Sequence, residues 1–148
     1  MPTLAIAAIG TLLKAGDGAS PEVFTTLAEV RDIDGPSMTA EEIDVTNHST
    51  VGNFAESIPG LLDAGSLSFA HNWIFTDASQ ALLEADYLAR VRRTYRLVFP
   101  VDAAATAEAD RTWEFEAYVQ QLGVSAPVRD ALTRNTVLRV VGAPTLGI

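Results

Sequence analysis

Residues 34–73 read DGPSMTAEEIDVTNHSTVGNFAESIPGLLDAGSLSFAHNW, and the way this stretch loses and regains its periodicity decides the fold. A Gly35-Pro36 turn leads into a short alternating run, Glu42-Ile43-Asp44-Val45-Thr46, after which alternation stops until Ser66. From there Leu67, Phe69, His71 and Trp73 share one side of an extended chain, and Ser68, Ala70 and Asn72 the other. That is the period-two pattern of a half-buried strand. The spacing predicts two strands flanking a long loop over 47–65. The loop holds Gly52, Gly60, Gly65 and Pro59, but also Val51, Phe54, Ile58, Leu61 and Leu62. Loops longer than about 12–15 residues inside a compact domain are usually functional or disordered, and this much apolar surface suits disorder poorly. The expectation is that a neighbouring subunit orders and covers it.

Outward from this stretch, the rest of the chain reads as further short strands and one helix. Residues 3–14 alternate imperfectly around Gly10, giving one strand or an extended arm followed by a strand, with residues 1–9 as an N-terminal arm or edge strand. A turn cluster, Ala15-Gly16-Asp17-Gly18-Ala19-Ser20-Pro21, ends it. Residues 23–30, VFTTLAEV, are rich in β-branched and aromatic types and should pair back as a hairpin. Asp77 with Gln80 three residues on forms a capping-box pattern, and Ala78, Ala81, Leu82, Ala85, Leu88 and Ala89 recur at helical spacing, predicting a helix over 78–92. Arg90, Arg92 and Arg93 would complement the negative end of that helix. A strand over 95–99 follows, then an alanine-rich acidic loop over 102–110. Trp113, Phe115, Ala117 and Val119 then alternate with Glu114, Glu116, Tyr118 and Gln120, the clearest strand signal in the chain. A last strand over 135–141 leaves residues 142–148 as a C-terminal arm. The fold class is mainly β (α+β): two packed antiparallel sheets, as a β-sandwich or rolled sheet, flanked by one α-helix. All 148 residues form a single domain.

Composition narrows the function classes. The chain has no cysteine, so disulfides and thiolate metal sites are excluded. Its formal net charge is -9, which opposes a role in gripping nucleic acid, because tight binding needs Lys and Arg to displace counterions from phosphates. The apolar run 4–9 has no basic residue before it and is far short of the roughly 20 residues that cross a bilayer. The expectation is therefore no membrane contact.

The candidates for chemistry are weak. His48 and His71 are the only histidines, and their separation matches no metal motif. Ser20, Ser49 and Ser57 lack a G-x-S-x-G elbow. Gly16-Asp17-Gly18 is a turn and not a phosphate loop, since Asp17 would repel an anion. Glu114 and Glu116 share a strand face, which usually means a solvated surface and not a catalytic pair. No enzyme activity, cofactor or metal is expected. The arginines are nine against a single lysine, and Arg90, Arg92, Arg93 and Arg96 are concentrated. They serve helix termination and solubility, or pair with carboxylates of an adjacent subunit, a task suited to the planar guanidinium.

Taken in order, Gly35-Pro36, Ile43-Asp44-Val45-Thr46, Pro59-Gly60-Leu61-Leu62-Asp63-Ala64-Gly65 and Ser66-Leu67-Ser68-Phe69 give a pattern that resembles the major tail tube protein of long non-contractile-tailed bacteriophages. The resemblance extends over nearly the whole chain. It implies a virion structural protein whose copies form hexameric rings that stack into the channel for DNA ejection. It also implies assembly in the bacterial host cytoplasm, with tape-measure, tail tip or baseplate and tail terminator proteins as partners. DNA would pass without specific binding. The expected stacking contacts are Asn47, Val51, Phe54, Ile58, Leu61 and Leu62 of the loop, with Leu4, Ile6 and Leu146 of the two arms. Arg90, Arg92, Arg93 and Arg96 are the candidates for charge pairing between subunits. Glu114 and Glu116 face either the lumen or the outer surface, and an acidic lumen would keep friction on DNA low. Gene-transfer-agent tails, tail terminators and type VI secretion tubes share the implied fold. A different class, a monomeric β-sandwich module binding a sugar or cell-surface ligand, predicts exposed aromatics in a groove.

Overall fold

The computed structural model describes residues 3, 5–101, 107 and 111–147. Along them run β1 (Leu12–Gly16), β2 (Phe24–Thr26), β3 (Val30–Asp34), β4 (Thr39–Asp44), a 3-10 turn (Val51–Asn53), β5 (Ser57–Asp63), β6 (Ser66–Asn72), α1 (Ala78–Ala89), β7 (Arg92–Val98), β8 (Thr112–Ser125) and β9 (Thr133–Leu146). The strands form two antiparallel sheets. One has seven strands in the order β2-β1-β7-β8-β9-β6-β3, and the other is the β4-β5 hairpin.

The larger sheet is rolled, and a three-residue link shows why. β2 and β3 lie on opposite edges, yet only Leu27, Ala28 and Glu29 separate them. Such a link spans at most about 14 Å, whereas the edges of a flat seven-stranded sheet stand about 28 Å apart. The sheet must curl until its edges approach. Bulges in the β8-β9 ladder, between Glu114 and Glu116 and between Val119 and Gln121, accommodate the bend. The link itself is held from both sides: Leu27 N donates to Leu13 O at 2.9 Å and Asn72 N to Glu29 O at 3.0 Å. The roll encloses Leu13, Leu67, Phe69, Tyr95, Leu97, Phe115, Ala117, Leu138 and Val140.

Helix α1 seals the seam. Asp77 caps it, its carboxylate accepting from Gln80 N at 3.1 Å. The reciprocal half of the expected capping box is absent. The Gln80 side chain is buried and donates instead to Ala28 O at 3.1 Å and Asn72 O at 2.8 Å, while accepting from Ile74 N at 2.8 Å. Three backbone groups at the seam are thereby satisfied by one side chain. The helix buries Gln80, Leu83 and Asp86, and leaves Ala81, Ala85 and Leu88 of the expected apolar stripe exposed. Periodicity misidentified the face because two of its three buried residues are polar and individually bonded. The helix also ends at Ala89 and not at 92, since Arg90 takes a left-handed conformation and its N–H bonds back to Asp86 and Tyr87 carbonyls. Arg92 is already in β7, opposite Tyr118.

Two further expectations are corrected. The loop over 47–65 is shorter than its sequence suggests: Ser57–Asp63 form β5, leaving 45–56 to connect the hairpin strands. With Pro59 and Gly60 inside it and nearly every residue exposed on both faces, β5 has no burial pattern for alternation to reveal. Residues 142–146 are not an arm either, because β9 continues there with Thr145 opposite Glu114 and Leu146 opposite Trp113. In the N-terminal segment the described residues before Leu12 form no strand. The alanine-rich loop over 102–110 falls, except for residue 107, outside the described residues.

Candidate assembly surfaces

The β4-β5 hairpin stands out from the body. Every residue of β4 is exposed, and among those of β5 only Gly60 is partly covered. At its root the two chain crossings touch. A Cβ on Gly35 would strike the Ser66 carbonyl, and one on Gly65 the Ser37 carbonyl, and both glycines have positive φ. No other residue fits at either position without moving backbone. Arg139 ties the root to β9, its Nη2 lying 2.9 and 3.1 Å from the Asp63 carboxylate oxygens. The Gly65 backbone N–H, and then Arg139, hold that carboxyl below its usual range.

The connecting loop is shaped by its own polar groups. Glu56 N donates to Thr46 Oγ1 at 2.8 Å, Asn47 N to Thr50 Oγ1 at 3.0 Å and Ser49 N to Asn47 Oδ1 at 2.8 Å. The loop's backbone is thus shaped from within, and Asn47 takes part in its turns. Its apolar side chains are a different matter. Val51 is 85% exposed, Phe54 77%, Leu61 80% and Leu62 82%, with Ile58 half-exposed beside Ile43. Among the described residues little covers them.

The remaining expected positions divide. Ile6 is half-exposed and lines a groove with Ile9, Val30, Ile33 and Phe99, whereas Leu4 lies outside the described residues. Leu146 is partly exposed at the end of β9. Arg93 is not available to a neighbour: its Nε and Nη2 bind the buried Asp86 carboxylate at 2.6 and 2.9 Å, and its Nη1 donates to Gly16 O at 2.7 Å. Arg96 is likewise engaged, with Nε 2.9 Å from Glu114 Oε2 and its guanidinium 3.9 Å over the Phe24 ring. Each stands beside an acid of its own chain: Asp86 comes from α1, and the β7-β8 register sets Glu114 directly opposite Arg96. Arg90 and Arg92 are exposed, and among the described residues neither is in an ion pair. Glu116 is exposed one register step from Glu114 on the outward face. That face also carries Arg92, Arg96 and Arg139, so it is mixed in charge and not uniformly acidic.

His71 is buried in the core on β6, while His48 is exposed in the hairpin loop. Among the described residues no three His, Cys, Asp or Glu side chains converge to hold a metal. Burial, with Arg134 adding to it, pushes the His71 imidazole below its ordinary range. The two tryptophans are partly covered. Trp73 lies under the Arg134 guanidinium at 4.6 Å, and Trp113 meets Phe99 edge-on at 5.2 Å, so neither opens onto a binding groove.

Comparison with known proteins follows this geometry. The family model described as Lambda phage tail tube protein, TTP matches residues 10–147. No curated protein matches in sequence. Among solved structures, the tail of an empty gene transfer agent (GTA) particle refined with C6 symmetry is similar with a TM-score of 0.75 at 14% identity, over 97% of this chain and 100% of that one. A protein of the native gene transfer agent virion has a TM-score of 0.71 at 16% identity, over 95% of this chain and 98% of that one. The SPP1 tail tube has a TM-score of 0.63 at 18% identity, over 89% of this chain and 72% of that one.

Proposed function

The chain belongs to the lambda phage tail tube protein family, and from that premise we propose that its copies close into six-membered rings which stack into the conduit for DNA ejection. It is a structural tail tube subunit of a virion. The observation that carries the ring-and-stack reading is the hairpin: a strand pair with Val51, Phe54, Leu61 and Leu62 bare in the isolated chain. Exposed apolar surface of that extent marks an interaction site. The sixfold order is supported by the C6 tail of the gene transfer agent particle.

The hairpin and a different surface of the next copy make a heterologous contact, which closes into rings or continues as a filament depending on the rotation. The segment around Ile6 and the end of β9 at Leu146 are the other contacts of the stack. At its ends the tube meets a baseplate and a terminator, as suggested by the similar structures of an anti-feeding prophage baseplate and tube-terminating cap. A tape-measure protein sets its length, and assembly takes place in the host cytoplasm. The subunit performs no catalysis.

Passage of DNA requires a wall that does not hold it. A duplex carries one charge per roughly 1.7 Å, and free cations would grip it by counterion release. The chain's net charge of -9 opposes such a grip. Of the arginines on the outward face of β7–β9, Arg96 is occupied by Glu114 and Arg139 by Asp63, which leaves Arg92 as the one without an ion pair among the described residues.

Electron microscopy of the purified chain tests the proposal. Hollow tubes or sixfold rings are expected; a strict monomer at high concentration, even with a tail tip complex to nucleate it, would overturn it.

A further inference from the structure

The proposed stacking leaves open where the hairpin of one copy lands on the next, and charge and exposure identify the place. From 39 to 63 the hairpin carries Glu41, Glu42, Asp44, Glu56 and Asp63, and no lysine or arginine. Among the described residues, only Asp63 of these is paired with a cation, Arg139. Glu42 and Asp44, two residues apart on β4, project from one face, and Leu61 is bare on the paired strand. A surface that receives it must offer apolar cover together with uncommitted positive charge.

Most of the arginines are committed within the chain. Arg93, Arg96, Arg134 and Arg139 are in ion pairs and Arg111 donates to Phe99 O. Of the rest, Arg31 and Arg129 each stand alone in the sequence, whereas Arg90 and Arg92 stand together on either side of Val91. They line a groove of about 540 Å3 between the end of α1 and β8, with Tyr87, Leu88, Tyr118 and Gln120. Leu88 is 73% exposed there, on the apolar side of α1 that the core does not use. Root residues of the same chain's hairpin, Met38 and Leu62, share a neighbouring groove with Arg92 and Tyr118, but Leu88 and Leu61 stay 73% and 80% exposed and leave room for cover from another molecule.

We propose that the groove formed by Tyr87, Leu88, Arg90, Arg92 and Tyr118 receives the acidic, apolar β4-β5 hairpin of a second copy of this chain. Arg90 and Arg92 meet Glu42 and Asp44, and Leu88 and Tyr87 cover Leu61. This inference rests on the tube-subunit reading. Donor and acceptor are different surfaces, so the contact propagates from copy to copy and never completes as a closed pair.

The cysteine-free sequence makes a direct test available. A chain carrying both Leu61→Cys and Leu88→Cys, assembled and treated with a short bismaleimide, should give a ladder of covalent multimers on a denaturing gel. Either single variant should stay monomeric. A second arm reverses charge: Arg90→Glu with Arg92→Glu should raise the critical concentration for assembly by about tenfold or more. Adding Glu42→Arg with Asp44→Arg to that chain should restore assembly, while circular dichroism shows each variant folded. Wild-type tubes without a ladder, or charge-reversed variants that assemble at the wild-type concentration, overturn the docking assignment and leave the tube reading standing. Wild-type chain that never assembles overturns both.

Discussion

Gly65 sets the strictest demand on any single residue. It has positive φ, and a methyl group there would meet the Ser37 carbonyl oxygen, which is backbone and cannot swing aside. Gly65→Ala should therefore cost about 2 kcal/mol or more, read as a lower urea midpoint at unchanged slope. Asp86 poses an electrostatic demand instead. Removing its carboxylate by Asp86→Ala leaves the Arg93 guanidinium, largely covered, with only the Gly16 carbonyl, and should cost about 3 kcal/mol. His71 couples stability to pH. Its imidazole is held neutral by burial, so below about pH 6.5 the unfolded chain takes up a proton that the native chain refuses. That contribution is intact above pH 6.5 and is lost as pH falls toward the depressed folded value. The slope has an upper bound of about 1.4 kcal/mol per pH unit, that of one proton. Asp44, Asp63 and Asp77 are shifted downward and act only at more acidic pH, so the window between pH 6.5 and 5 belongs to His71. His71→Leu should flatten the stability curve there, measured by chemical denaturation at stepped pH.

At the scale of elements, legibility followed burial. β6 and β8 showed plainly in the sequence because each has one covered face, with Leu67, Phe69 and His71 inside one and Phe115, Ala117 and Val119 inside the other. β5 was invisible because it has no covered face, and the helix was found with its wrong side inward because Gln80 and Asp86 are buried by bonds that hydrophobicity does not encode. The exposed apolar positions on the hairpin were legible as exposed; the arginines' own-chain partners were not, since strand register is a long-range property. Two predictions belong here. Gln80→Leu keeps the volume but strands Ala28 O, Asn72 O and Ile74 N, so the seam should loosen, with a loss of about 2–3 kcal/mol and faster amide exchange at 27–29. Replacing residues 48–55 by a two-residue turn removes Val51 and Phe54 without touching β4 or β5. The monomer should keep its melting temperature while polymerisation fails, as seen by sedimentation.

For the whole molecule, the rolled sheet and its sealing helix form a body that stands alone, and the hairpin is the part that looks for company. This division is why the isolated chain can fold before it assembles: the core is complete within one copy, and the bare side chains lie on an element whose own hydrogen bonds are already made. If docking depends on opposed charges, tube growth should weaken steadily as salt rises from 50 mM to 500 mM, because screening shortens to a few ångströms over that range. Light scattering at matched protein concentration would follow it.

The crossing of Gly35 and Gly65 bears on a mechanical property. A hairpin of about 20 Å turned through about 5° at its root carries its far end sideways by about 2 Å, enough to unseat a leucine from a pocket. Since two carbonyls press on those glycines from either side, the arm can pivot very little. A long tail that flexes in a flow must then share the curvature over many rings, a small amount at each joint. Its flexural rigidity would then be set in part at two backbone positions inside each copy.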